Sequence, residues 1–211
     1  MKKILFAVIV IATVSAYGQQ KMGAIKAGMF FPQACDGGFD LGLEYGMKID
    51  TNLDVALSLD WFKKEFTDKD YIGDVEQYDG TIVGTQYKDL GKITIYDFPL
   101  MVAVTAKFPL GRQLKWFALG GLGAEMLYAS IDSYDSNDGS EVKTKEETTL
   151  AFDFNWRLGG GVMYNLGQRS EVFGELAYHY SKPSFEDDNG ITTEYDMSGI
   201  MSRIGVRFSF R

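Results

Sequence analysis

The chain has a single histidine, His179, and it stands two residues before Ser181. In extended backbone that spacing puts both side chains on one face. There an imidazole can take the hydroxyl proton and turn the serine into a nucleophile. Glu194, a little further on, supplies a carboxylate able to orient the ring. His179, Ser181 and Glu194 thus have the residue types of an ester-cleaving triad. A histidine among polar neighbours is equally served by a plain hydrogen bond, and that reading stays open beside the catalytic one. A second candidate is cationic: Asp135, Asn137, Gly139 and Glu146 offer oxygen donors at spacings close to those of a calcium loop. The glycine falls one residue early, however, and no helical patterns flank the segment. Neither Gly120-Gly121 nor Gly159-Gly160-Gly161 opens a helix, so neither is a phosphate cradle. These residues call for no cofactor.

The elements that must position these groups are strands. In Phe39 to Ile49, Phe39, Leu41, Leu43, Tyr45, Met47 and Ile49 alternate with Asp40, Gly42, Glu44, Gly46 and Lys48. Period two with one wholly apolar face and one of charges and glycines is a strand of about the length that crosses a bilayer when tilted. The pattern recurs over Met22–Phe31, from Leu53 to Trp61, and over Ile93–Phe108, Trp116–Ile131, Leu150–Tyr164, Glu171–Ser181 and Met197–Phe210. Pro99 falls on the polar-facing set of the fourth strand, where a lost ladder bond predicts a bulge or a gap. The glycines of the fifth strand leave its facing open. Long polar connections are expected over Lys63–Lys92, Asp132–Thr149 and Lys182–Asp196, alternating with short turns such as Asp50-Thr51-Asn52 and Pro109–Gln113. The sum is an all-β chain, an eight-stranded antiparallel up-and-down transmembrane β-barrel, apolar outside and polar within. A soluble ligand-binding barrel is the competitor, and it needs the opposite facing.

Composition agrees. Of 211 residues 24 are glycine and only 4 proline, aromatics make up 14%, and the net charge is −8. A nucleic-acid partner needs a basic surplus, so that class is set aside. Lys2 and Lys3, the apolar run Ile4–Val14 and Ala16-Tyr17-Gly18 read as a signal peptide over 1–18, with the barrel domain over 19–211 and no transmembrane helix. Cys35 has no second cysteine to pair with and is expected to be an inert loop thiol. Tyr45, Trp61, Tyr96, Trp116, Tyr128, Tyr164 and Phe210 suit the two interfacial belts.

Lys26-Ala27-Gly28, Tyr96-Asp97-Phe98-Pro99-Leu100, Phe152-Asp153-Phe154 with Gly159 and Gly161, and Gly205-Val206-Arg207-Phe208-Ser209-Phe210 jointly resemble the small outer-membrane barrels of the OmpX and OmpA transmembrane-domain type. The resemblance covers the mature chain. It implies a cell outer membrane location, termini on the periplasmic side and a closing aromatic, here Phe210 followed by Arg211. It also implies contact with outer-membrane lipids and lipopolysaccharide, and no appended wall-binding domain. Separately, the His-x-Ser spacing of His179 and Ser181 is similar to that of outer-membrane lipid A deacylases, although Lys182 stands where those have asparagine and their triad faces lipid.

An eight-stranded barrel is only wide enough for its own side chains. The inward set pairs Lys26, Lys48, Lys107, Arg157, Arg203 and Arg207 with Asp40, Glu44, Asp54, Asp60, Asp97, Asp153 and Glu175, which predicts an internal plug of ion pairs. Asp132, Asp135, Asp138, Glu141, Glu146 and Glu147 outnumber Lys143 and Lys145, leaving the loop at −4, a solvated acidic tip or one bridged to lipopolysaccharide by divalent cations. The expected role is structural or interactive: envelope stability, adhesion, or binding of another envelope protein or surface ligand through the long outer loops. A deacylase-like esterase and a narrow passive pore are the alternatives.

Overall fold

The computed structural model describes residues 20–76, 82–135, 142–186 and 192–210. Eight strands, β1 (Lys21–Pro32), β2 (Gly38–Lys48), β3 (Leu53–Glu76), β4 (Ile82–Pro109), β5 (Leu114–Asp135), β6 (Val142–Asn165), β7 (Ser170–Tyr180) and β10 (Gly199–Phe210), close into one antiparallel barrel. The segment between β7 and β10 folds into a small hairpin of β8 (Ser184–Glu186) and β9 (Thr192–Glu194). The barrel is sealed by β1 against β10, from Lys21↔Phe210 to Pro32↔Gly199, so no strand edge of the wall is left to lipid. The signal segment, Asn137, Gly139 and Arg211 lie outside the described residues.

Facing follows the period-two reading. Leu43 and Ile204 are 56% and 72% exposed, whereas Glu44 and Arg207 are 8% and 2% exposed. Large apolar side chains cover the outside of every strand in the wall, far more than a water-facing surface tolerates. Aromatic pairs gather near both rims, with Tyr45 against Phe210 and Phe108 stacked on Trp116 at one end, Tyr96 against Tyr128 and Trp156 stacked on Tyr180 at the other. On β5, Trp116 and Tyr128 are separated by roughly 40 Å of strand at about 3.4 Å per residue. A tilt of roughly 40° makes that about 30 Å across, the thickness of a bilayer core.

Two expectations about the connections need correcting. Lys63–Lys92 is no loop: β3 and β4 continue as a paired ribbon to Glu76↔Ile82, with register shifts between Asp68 and Lys69, Tyr71 and Gly73, and Val75 and Glu76. Likewise Asp132–Thr149 is mostly strand, β5 and β6 staying paired to Asp135↔Val142. Strand pairing persists past the membrane because backbone groups still need partners there, although no apolar face remains to mark it. At Pro99 the outcome is a gap. The β3–β4 ladder breaks between Leu59↔Leu100 and Phe62↔Asp97 and resumes in unchanged register, while Pro99 stays opposite Glu125 on the other side.

Candidate functional site

The lumen is filled in layers. At the end that carries the tight turns, Ala24, Phe117, Leu119, Met163 and Phe173 form an apolar floor, Phe117 edge-on to Phe173. Gly161 makes room for this layer, since a Cβ there would meet the Phe117 ring at 2.9 Å and collide with the Gly174 carbonyl. At the opposite end Phe30, Phe62, Ile95, Leu127, Ala151, Met197 and Met201 form a second apolar layer, with Ala34, Cys35, Phe185 and Tyr195 packed against it.

Between them lies a layer of charges. Lys26 Nζ is 2.5 Å from Glu44 and 3.3 Å from Glu175, and Lys107 Nζ is 2.6 Å from Asp54. Arg207 reaches Asp54 at 2.9 Å and Glu44 at 3.3 Å, with its guanidinium also over the Phe173 ring. Arg203, wholly buried, donates to Glu175 through Nε and Nη2, and its Nη1 lies 3.1 Å from Asp60 and 3.3 Å from Asp40. Arg157 closes on Asp60 at 2.5 Å. Alternation on β1, β2, β3, β4, β6, β7 and β10 delivers these groups to a common interior, and burial makes each depend on its partner.

The expected triad does not assemble. His179 and Ser181 both point inward and are fully buried. The histidine Nε2 bonds Glu125 Oε2 at 2.7 Å, and Ser181 Oγ has no hydrogen-bond partner among the described residues. Glu194 is exposed and accepts from Lys182 Nζ at 3.1 Å, tying the β8–β9 hairpin to the end of β7. The carboxylate of His179 is therefore Glu125, absent from the inward set read from the sequence. Its strand carries Ala124 and Met126 on either side and glycines nearby, so alternation gave no sign of it. Asp97 completes the group: one donor atom from each of Asp97, Glu125 and His179 lie within 4.8 Å of one another, all three side chains buried. The calcium-like spacing is not tested by this geometry, as its central residues fall outside the described positions.

A closed eight-stranded wall with an apolar outside and a charged inside defines a transmembrane barrel of the outer-membrane class. A family model for the outer membrane protein beta-barrel domain matches residues 4–210, and the chain belongs to that family. It is accordingly an outer-membrane protein. Among solved structures it is similar to a major outer membrane protein from Thermus thermophilus, at 15% identity and TM-score 0.55 over 92% of this chain and all of that one. It is also similar to Neisserial surface protein A, at 14% identity and TM-score 0.52 over 92% and 97%. The attachment invasion locus protein Ail of Yersinia pestis matches at 12% identity and TM-score 0.50 over 91% and 97%. No curated protein matches the sequence.

Proposed function

We propose that this protein is a non-conducting outer-membrane anchor whose projecting ribbons, β3–β4 and β5–β6, meet a partner or ligand outside the membrane. The observation that carries the reading is the sandwich inside the wall, a layer of ion pairs held between two apolar layers. Moving an ion through it means breaking buried pairs, each worth about 3–5 kcal/mol when one partner is removed. The ribbons extend beyond their shorter neighbours, and the stretch from Asp132 to Thr149 in the β5–β6 ribbon, net −4 by sequence, supplies a charged surface for an envelope protein, a surface ligand or cation-bridged lipopolysaccharide. The mature chain is taken to start at Gln19, after removal of the signal peptide.

Planar-bilayer recording tests the plug. Silence is expected, and steady conductance would replace the anchor with a pore. Co-purification after crosslinking in native membranes tests the ribbons, comparing the whole chain with one in which residues 68–90 are replaced by a tight turn. A partner lost with the ribbon supports the reading, and a partner retained moves the contact elsewhere. Among the described residues Ser181 Oγ makes no hydrogen bond to His179, which speaks against ester cleavage. Lipid A from cells making the Ser181→Ala variant should have an unchanged acyl pattern by mass spectrometry.

A further inference from the structure

Most of the buried carboxylates in this lumen have a lysine or arginine beside them. Asp40, Asp60 and Glu175 share Arg203, Glu44 and Asp54 share Arg207, and Glu171 takes Lys115 at 3.1 Å. Among the described residues, Asp97 and Glu125 are the buried carboxylates that form no ion pair with lysine or arginine. Both are wholly buried and close enough to offer donors to one centre, and the basic group bonded to Glu125 is the His179 ring. Among the described residues, neither Asp97 oxygen has a hydrogen-bond partner, and nor do Glu125 Oε1 and His179 Nδ1. Asn155 reaches Glu125 Oε2 with Nδ2 at 3.5 Å but leaves its own Oδ1 unused, and Ser181 Oγ is also unused and buried.

Two adjacent carboxylates in a water-poor interior require a cation between them, either a shared proton or a metal ion. We infer that Asp97, Glu125 and His179 form a binding site for a divalent transition-metal ion, with Asn155 as a positioning residue on Glu125. One imidazole nitrogen and two carboxylate oxygens are the donor set that suits zinc, manganese, iron or cobalt better than the all-oxygen shells of calcium. The size fits. Neighbouring ligands round a tetrahedral zinc at about 2.0–2.1 Å stand roughly 3.3 Å apart. The ion takes the place of the proton in the 2.7 Å His179–Glu125 hydrogen bond, that proton being released to bulk solvent as the site forms, the two groups part by about half an ångström, and Asp97 closes in from within 4.8 Å.

The surroundings suit a held ion more than a conducted one. Phe30 packs edge-on to the His179 ring at 5.6 Å, and Ile95 and Leu127 flank Asp97 and Glu125 along their strands in the apolar layer. Arg157, cross-strand from His179, is engaged by Asp60 and sets the lower boundary of the site. The metal is therefore captured as the barrel closes and stabilises the closed form.

The test uses the full mature protein made without a histidine tag, unfolded in urea and refolded into detergent with zinc, manganese or cobalt(II) present, then freed of excess ion. Folding of every variant is verified by heat-modifiable gel mobility. The expected result is about one retained metal per folded barrel, with a cobalt absorption spectrum of nitrogen and oxygen ligation. Retention should fall at least tenfold in His179→Gln and Glu125→Gln, fall less in Asn155→Ala, and stay unchanged in Glu194→Gln. A folded barrel that retains none of the three metals would mean the cluster holds a shared proton only, and the inference fails. Equal retention by folded His179→Gln would also overturn it, because the ion would then sit elsewhere.

Discussion

Gly42 and Asp60 face each other across the β2–β3 pair so closely that a Cβ on Gly42 would collide with Asp60 Oδ1 and stand 3.5 Å from the Arg203 guanidinium. The missing side chain is what lets the carboxylate turn toward Arg203. Gly42→Ala should displace Asp60 and cost about 1–3 kcal/mol, as overpacking of a filled interior does. Urea unfolding in detergent checks it, with Gly111→Ala as control. Gly111 has nothing within 4 Å of a new Cβ, and its variant should stay within about 0.5 kcal/mol of the parent.

Among the described residues, Arg203 is the cation that reaches β2, β3 and β7 from β10. Arg203→Met keeps much of the volume but strands Asp40 and leaves Asp60 with Arg157 alone and Glu175 with Lys26 alone, so stability should fall by about 3–5 kcal/mol. Adding Asp40→Asn should recover part of the loss, because the stranded charge is then gone. The urea midpoints of the single and double variants measure both effects.

Cys35 sits in the connection between β1 and β2, packed against the upper apolar layer. Burial is the main reason its thiol is pushed up from 9.0 to about 11, against the lowering pull of Lys64. That rise predicts alkylation at pH 8 about a hundredfold slower than for an exposed thiol, since the thiolate is the reacting form. Heating in SDS should abolish the protection. A folded protein that reacts as fast as free cysteine would show that this connection does not pack as described.

The β8–β9 hairpin is held at its base by Lys182, whose Nζ lies 3.1 Å from Glu194 and 3.2 Å from Asp196. Hydrogen bonds to those two carboxylates raise the Lys182 pKa. Partial burial alone would raise that of Asp196, but bonds from Ser198 and Lys182 outweigh it and hold the carboxyl below its usual range. A depressed acid supports the hairpin above its unfolded pKa and loses that support as pH falls through the folded value. A raised lysine supports it below its unfolded pKa and loses it as pH rises through the folded one. The Tyr195 amide, bonded to the Pro183 carbonyl, should thus keep a constant chemical shift from roughly pH 5 to 9 and move outside that window.

Which residues could be read in advance depended on whether one face of their strand was apolar. In β2 the contrast is complete, in β10 it is broken at Met201 and Ser202 alone, and the facing of Asp40, Glu44, Arg203 and Arg207 followed directly. In β5 glycine and alanine occupy both faces, so alternation carries no sign and Glu125 stayed hidden. The outer parts of β3 and β4 are polar on both sides and read as a loop, although the backbone ladder continues through them. Glu194 is the carboxylate near His179 in sequence. The actual partner comes from β5 by way of the closed barrel, a relation that no local spacing encodes.

The seam between β1 and β10 also acts as a checkpoint on assembly. Arg203 and Arg207 belong to the strand that completes the cylinder, and their acceptors wait on β2, β3 and β7. If β10 docks one residue out of step, both guanidinium groups turn to hydrocarbon and five acids inside each lose a partner, Asp40 its sole one among the described residues. The chain thereby reads its own closure electrically, and only the correct alignment gives the two guanidinium groups their acids.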